Sequence, residues 1–126
     1  MELTALDHLV LTVNDIETTV DFYVQVLGMR AKSFQGGRVS LRFGNQKINL
    51  HQAGSEIEPH ARNATPGSAD ICFLSELPLE FVIELLQDYR VPVELGPVPR
   101  TGAMTQLVSV YFRDPDGNLI EISNIA

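Results

Sequence analysis

The feature that most constrains this chain is an order of hydrophobic periodicities that runs once through residues 6–51 and again through residues 69–123. Period-two alternation marks a strand, and apolar residues three and four apart mark an amphipathic helix. Residues 6–13 alternate, with Leu9, Leu11 and Val13 on one side and His8, Val10 and Thr12 on the other. Asn14-Asp15 opens a helix over 15–27, with Ile16, Val20, Tyr23 and Leu27 at helical spacing and Gly28 as its stop. Three short strands follow, at 29–35, 39–43 and 47–51. Gly36-Gly37 and Gly44-Asn45-Gln46 separate them and set hairpins. After an aperiodic stretch the same order returns: a strand over 69–74, a helix over 79–89 behind Pro78, and a short strand over 91–95. Strands over 107–112 and 119–123 complete it, the last behind the turn Asp114-Pro115-Asp116-Gly117.

The pattern predicts an α+β fold of two βαβββ modules, spanning 1–52 and 69–126 and joined by a crossover linker at 53–68, in one domain. The sheets should be curved, largely antiparallel and arranged around a cleft. A module of about 60 residues is marginal alone, so the halves should pack or pair. His8 precedes Asp70 by 62 residues and His51 precedes Glu121 by 70, so the second half carries eight extra residues, which the loop 96–106 would absorb.

Charge narrows the partners. Sixteen acidic against nine basic residues give a net charge of -7, which argues against nucleic acid and anionic membrane surfaces. A single cysteine makes no internal disulfide and permits a reducing compartment. No apolar run is long enough to cross a bilayer and the first residues do not resemble a signal peptide, so a cytoplasmic protein with a small-molecule partner is expected.

Strand alternation also sorts the chemistry. If the apolar sides face the helices, His8, His51, Asp70 and Glu121 all fall on the opposite faces, on the first and last strands of each half. Taken singly, each histidine also fits a strand residue satisfied by hydrogen bonds. Taken jointly, two neutral imidazoles and a carboxylate suit a divalent first-row metal with open positions, and Asp70 is a fourth ligand or a hydrogen-bond partner of one. Arg100, among Pro97, Pro99 and Gly102, is either a solvated loop arginine or a clamp for a substrate carboxylate or phosphate. Cys72 is expected as a small apolar filler and Arg113 as a structural residue, and Tyr111 receives no role.

The segments 7–13, Phe22-Tyr23, Leu27-Gly28 and 112–121, the last reading Phe-Arg-Asp-Pro-Asp-Gly-Asn-Leu-Ile-Glu, resemble the vicinal oxygen chelate superfamily. That superfamily holds glyoxalase I, fosfomycin- and bleomycin-resistance proteins and extradiol dioxygenases. Residues 43–51, 66–72 and 96–103 resemble more narrowly the glyoxalase domain-containing protein 5 type. The resemblance implies a homodimer, with paired modules around a divalent ion (Ni, Zn, Co, Mn or Fe) that chelates vicinal oxygens of the substrate. His8 and Glu121 match its first-strand and last-strand ligand positions. His51 matches the position at the end of the first module that glyoxalase I fills with an acidic ligand. Asp70 stands where many active members have histidine. The implied activity is a glyoxalase-like lyase or isomerase, in which the ion polarises a carbonyl or stabilises an enediolate and Glu121 or Asp70 shuttles a proton. A dioxygenase or transferase of the same superfamily, and a drug-sequestering dimer taking a cationic ligand, are the alternatives.

Overall fold

The computed structural model describes residues 1–126 as two compact units, 1–66 and 67–126, divided inside the stretch read as a linker. The first contains β1 (His8–Val13), α1 (Ile16–Gln25), β2 (Arg30–Phe34), a short 3-10 turn at Gln35–Gly37, β3 (Arg38–Phe43) and β4 (Gln46–Gln52). The second contains β5 (Asp70–Leu74), α2 (Leu79–Asp88), β6 (Leu95–Thr101), β7 (Gln106–Arg113) and β8 (Leu119–Ile125). Both are βαβββ, as the periodicity predicts.

Each unit forms one four-stranded sheet, ordered β1-β4-β3-β2 in the first and β5-β8-β7-β6 in the second. The first strand of each unit pairs in parallel with the last, and the other neighbours are antiparallel. A parallel pair needs a long crossover, which the helix and the intervening hairpin supply.

Local chemistry fixes the elements. Asp15 caps α1, its Oδ2 accepting from Thr18 N at 3.0 Å and Thr18 Oγ1 at 2.6 Å. The α2 N-terminus has no capping side chain of its own, and Asn124 of β8 accepts from Leu79 N at 2.8 Å instead. In the β7–β8 turn, Asp114 Oδ1 accepts from the N–H groups of Asp116 and Asn118, and its Oδ2 accepts from Asn118 Nδ2 at 2.7 Å.

Helix α1 covers one face of its sheet, meeting Ala31, Ser33 and Val39 across a shallow groove. The ladder puts Leu9, Leu11, Leu41, Ile48 and Leu50 on that same side, and the last four are buried. In the second unit α2 buries Leu79, Val82 and Leu86, while Val110, Phe112, Ile120 and Ile122 fill the sheet's matching side. The remaining faces, turned away from the helices, hold the residues with chemistry.

The region 91–106 differs from expectation. No strand forms over 91–94, and most of the predicted loop 96–106 is strand β6. Pro97 and Pro99 suggested a loop because proline cannot donate to a ladder, but β6 is an edge strand, where a missing donor costs nothing on its outer side. Gly96 lies at the bulge between Leu95 and Val98 with φ 113°, and a Cβ there would overlap the Ser109 carbonyl oxygen. The extra length of the second half is therefore distributed, part of it in the five-residue turn between β7 and β8.

Candidate functional site

On the helix-distal face of the first sheet, β1 contributes His8, Val10 and Thr12, and their partners on β4 are Lys47, Asn49 and His51. His8 is exposed, and its Nδ1 lies 2.8 Å from Asp7 Oδ1. A carboxylate on Nδ1 holds the proton there and leaves Nε2 with a free lone pair, the form in which imidazole binds a metal. Asp7 is itself held below the usual carboxylate range, chiefly by its hydrogen bond with His8.

His51 differs in every respect. It is 4 % exposed, and neither ring nitrogen has a hydrogen-bond partner. Burial pushes its pKa down, the positive charge of Arg38 adds to this, and Glu56 opposes it. The strand register separates the two histidines: His8 pairs with Lys47 and His51 with Thr12, four steps apart, or about 13 Å along the strands.

On the second sheet the corresponding face carries Asp70 and Cys72 of β5, Glu121 and Ser123 of β8, and Ser109 and Tyr111 of β7. Asp70 pairs with Leu119 and Cys72 with Glu121, so the two carboxylates are only two steps apart, about 7 Å along the strands. Ser123 Oγ donates to Glu121 Oε2 at 3.2 Å. Ser123 Oγ also lies 2.6 Å from Ser109 Oγ and 3.2 Å from Cys72 Sγ. Cys72 is exposed rather than a buried filler, and partial burial with the nearby Glu121 and Asp70 charges pushes its thiol up. It stays a thiol at neutral pH and is a poor metal ligand.

Arg100 sits in β6, where its Nε donates to Tyr111 Oη at 2.8 Å and its guanidinium lies 5.3 Å from the Tyr111 ring centroid. Tyr111 pairs with Glu121 across β7 and β8. Burial pushes the Tyr111 phenol up, Arg100 opposes this, and Glu121 adds to it. Tyr111 is thus a protonated donor beside Glu121, a residue that alternation alone placed only relative to its own neighbours. Arg113 is structural as expected, donating from Nε and Nη2 to Glu94 at 3.0 Å each.

Comparing the two ladders sharpens the internal repeat. His8 pairs with Lys47 and Asp70 pairs with Leu119. Two steps beyond the partner lies Asn49 on β4 and Glu121 on β8. The place equivalent to Glu121 is therefore Asn49, which is 4 % exposed with Oδ1 unpartnered, and His51 lies one alternate position beyond. No group of three or more His, Cys, Asp or Glu suited to a metal comes together. His8 and His51 lie on the first unit's face and Asp70 and Glu121 on the second's.

The sequence profile of the Glyoxalase/Bleomycin resistance protein/Dioxygenase superfamily matches residues 5–122. A virulence protein of Salmonella typhimurium is 52% identical over 123 residues, covering 98% of this chain and 85% of its own, and its crystal structure superposes with a TM-score of 0.98. A glyoxalase domain-containing protein of Mycosarcoma maydis is 48% identical over 98% of this chain and 70% of its own. Lactoylglutathione lyase from Agrobacterium tumefaciens, 22% identical with a TM-score of 0.74 over 98% of this chain and 96% of that one, shares the fold.

Proposed function

Because the chain belongs to the Glyoxalase/Bleomycin resistance protein/Dioxygenase superfamily, we propose that it is a metal-dependent, glyoxalase-like lyase or isomerase acting on a small substrate with vicinal oxygens. The observation that carries this reading lies within each unit: on the helix-distal face of the first, His8 has its Nδ1 2.8 Å from Asp7 Oδ1, and on that of the second, the carboxylates Asp70 and Glu121 stand two register steps apart. Imidazole and carboxylate together suit a divalent first-row ion, whether Ni, Zn, Co, Mn or Fe. The proposed ligand set is His8, His51, Asp70 and Glu121. Register supports the closeness of the two carboxylates on the second sheet. His51 has the least support, because it is four steps from His8 and beside the Arg38 cation.

A bound ion would polarise a substrate carbonyl and make the neighbouring C–H more acidic. The chain's own residues then move the proton. Glu121, oriented by the Ser123 hydroxyl, takes the proton from the carbon next to the carbonyl and returns it to the adjacent carbon. Asp70 is the alternative base on the same face. Tyr111, kept protonated and gripped by Arg100, donates a hydrogen bond toward Glu121 or a substrate oxygen. This gives Arg100 a positioning role through Tyr111 in addition to the substrate clamp expected from sequence.

A transferase of the same superfamily is the second reading. It is supported by a relative named metallothiol transferase in Staphylococcus epidermidis, 28% identical over 97% of this chain and 82% of its own. A cytoplasmic homodimer belongs to the same proposal. The single free thiol at Cys72 accords with a reducing compartment, and the dimer rests on the resemblance to the superfamily.

The test is elemental analysis of tag-free protein dialysed against each candidate metal. One ion per chain is expected in the wild type, with a loss of tenfold or more in affinity in His8→Ala, on the order of 1.4 kcal/mol or more. Glu121→Gln should abolish turnover on any substrate found. Substoichiometric metal unchanged by His8→Ala would overturn the enzyme reading in favour of a sequestering protein.

A further inference from the structure

The helix-distal face of the first sheet gathers positive charge that no ion pair engages. Arg30, Arg42 and Lys47 stand directly opposite one another across β2, β3 and β4. Lys32, paired with Ser40, and Arg38, paired with Phe34, occupy the next rows of the same face. These are five of the nine Lys and Arg residues of a chain whose net charge is -7, and the face holds no carboxylate. None of the five joins an ion pair. The ion pairs present are His8–Asp7, His60–Glu58 and Arg113–Glu94. The carboxylates whose charge reaches this region are Asp7, engaged with His8, and Glu56, which accepts from Gly54 N at 3.1 Å.

A second, independent observation concerns hydrogen bonds. Arg38 Nε and Arg42 Nε are buried donors without partners, and the two His51 ring nitrogens and the acceptor Asn49 Oδ1 on the same face are buried and unpartnered too. Buried polar atoms are nearly always satisfied, so a group of five orphaned ones implies an occupant. Phe34 is interposed among the cations, its ring centroid 4.8 Å from the Arg38 guanidinium carbon and 4.2 Å from Lys47 Nζ. An aromatic face is a weak substitute for an anion.

We propose that this face is a subsite for an oxyanion, a phosphate, phosphonate or carboxylate group borne by the substrate, with Arg38 and Arg42 as its principal ligands. A guanidinium presents Nε–H and a terminal N–H as a fork that matches two oxygens of such a group. Lys47, opposite Arg42 in the same row, adds charge. Asn49 Oδ1 can only accept, so it takes a hydroxyl of the same molecule. The inference deepens the proposed function by naming its substrate class as a small anionic hydroxy or carbonyl compound. It rests on that reading for its biological meaning and on the first sheet alone for its geometry.

The experiment is calorimetric titration of the full chain, metal-stripped and metal-loaded, with inorganic phosphate, methylphosphonate and acetate at fixed ionic strength. Saturable binding of at least one probe, with one site per chain and no need for metal, is expected. Arg38→Ala or Arg42→Ala should weaken it about tenfold or more, while Arg62→Ala, which removes the same charge from segment 53–66, should change it less than about twofold. If an alanine variant does not fold, Arg38→Lys and Arg42→Lys keep the charge, lose the fork and should still weaken binding several-fold. Tighter phosphate or phosphonate assigns a tetrahedral group and tighter acetate a carboxylate, and either supports the subsite. Binding that requires the metal, equal weakening by Arg62→Ala, or no saturable binding of any probe would overturn it. Phosphate binding in a protein that takes up no metal would leave this subsite standing and remove the metal reading.

Discussion

At 4 % exposure, with neither ring nitrogen hydrogen-bonded and Arg38 beside it, His51 is held neutral in the folded chain, its pKa below the usual 6.5. The sign of the linkage follows. As pH falls through about 6.5 the unfolded chain binds a proton that the folded chain refuses, so stability declines until the folded pKa is reached, with a slope of at most about 1.4 kcal/mol per pH unit. Urea unfolding at pH 8 and pH 5.5 should show a larger loss in the wild type than in His51→Gln, and equal losses would contradict the burial argument. The alternation of β1, β4, β5 and β8 made the faces of His8, His51, Asp70 and Glu121 legible in the sequence, because that property is local. The equivalence of Asn49 with Glu121 was not legible, because it depends on strand register, fixed by pairing with a partner 39 residues away in the first unit and 49 in the second. Tyr111 was missed for a related reason: the groups acting on its hydroxyl, Arg100 and Glu121, come from neighbouring strands.

Among the elements, β6 shows where composition misleads. Two prolines and a glycine within residues 96–99 look like a loop, yet an edge position turns them into a strand that carries Arg100 to Tyr111. The row Arg30–Arg42–Lys47 shows the converse, a strand arrangement that composition alone would not suggest, since like charges directly opposite each other weaken a sheet. An uncompensated violation of that kind is expected at a functional surface. Replacing its middle member by Arg42→Thr relieves two such pairs and introduces a better strand former. Its stability in phosphate-free buffer should rise by about 0.5–1 kcal/mol in chemical denaturation, with anion affinity falling. A variant of lower stability would mean that the Arg42 stem contributes more to packing than its charge costs.

For the whole molecule, the net charge of -7 is a poor guide to the ligand because it is unevenly spread. Residues 67–126 carry nine acidic and three basic side chains, and residues 1–66 carry seven and six, with five of those six basic groups on one sheet face. The charge total suits a cationic cargo as well as an anionic substrate, whereas the first sheet's face suits an anion. The same division organises the chemistry, with histidines and cations on one unit and carboxylates on the other. No helix is long and apolar enough to cross a membrane. The central claim is that His8 and the carboxylates hold a catalytic ion, and the most direct measurement is anomalous diffraction from crystals of the full chain grown with a stoichiometric divalent metal. The account predicts one ion per chain, held about 2.0–2.2 Å from donors of the proposed set His8, His51, Asp70 and Glu121, with His8 Nε2 and a Glu121 oxygen among them. An ion held by other residues, or no ordered ion with His8 and Glu121 both unligated, would contradict it.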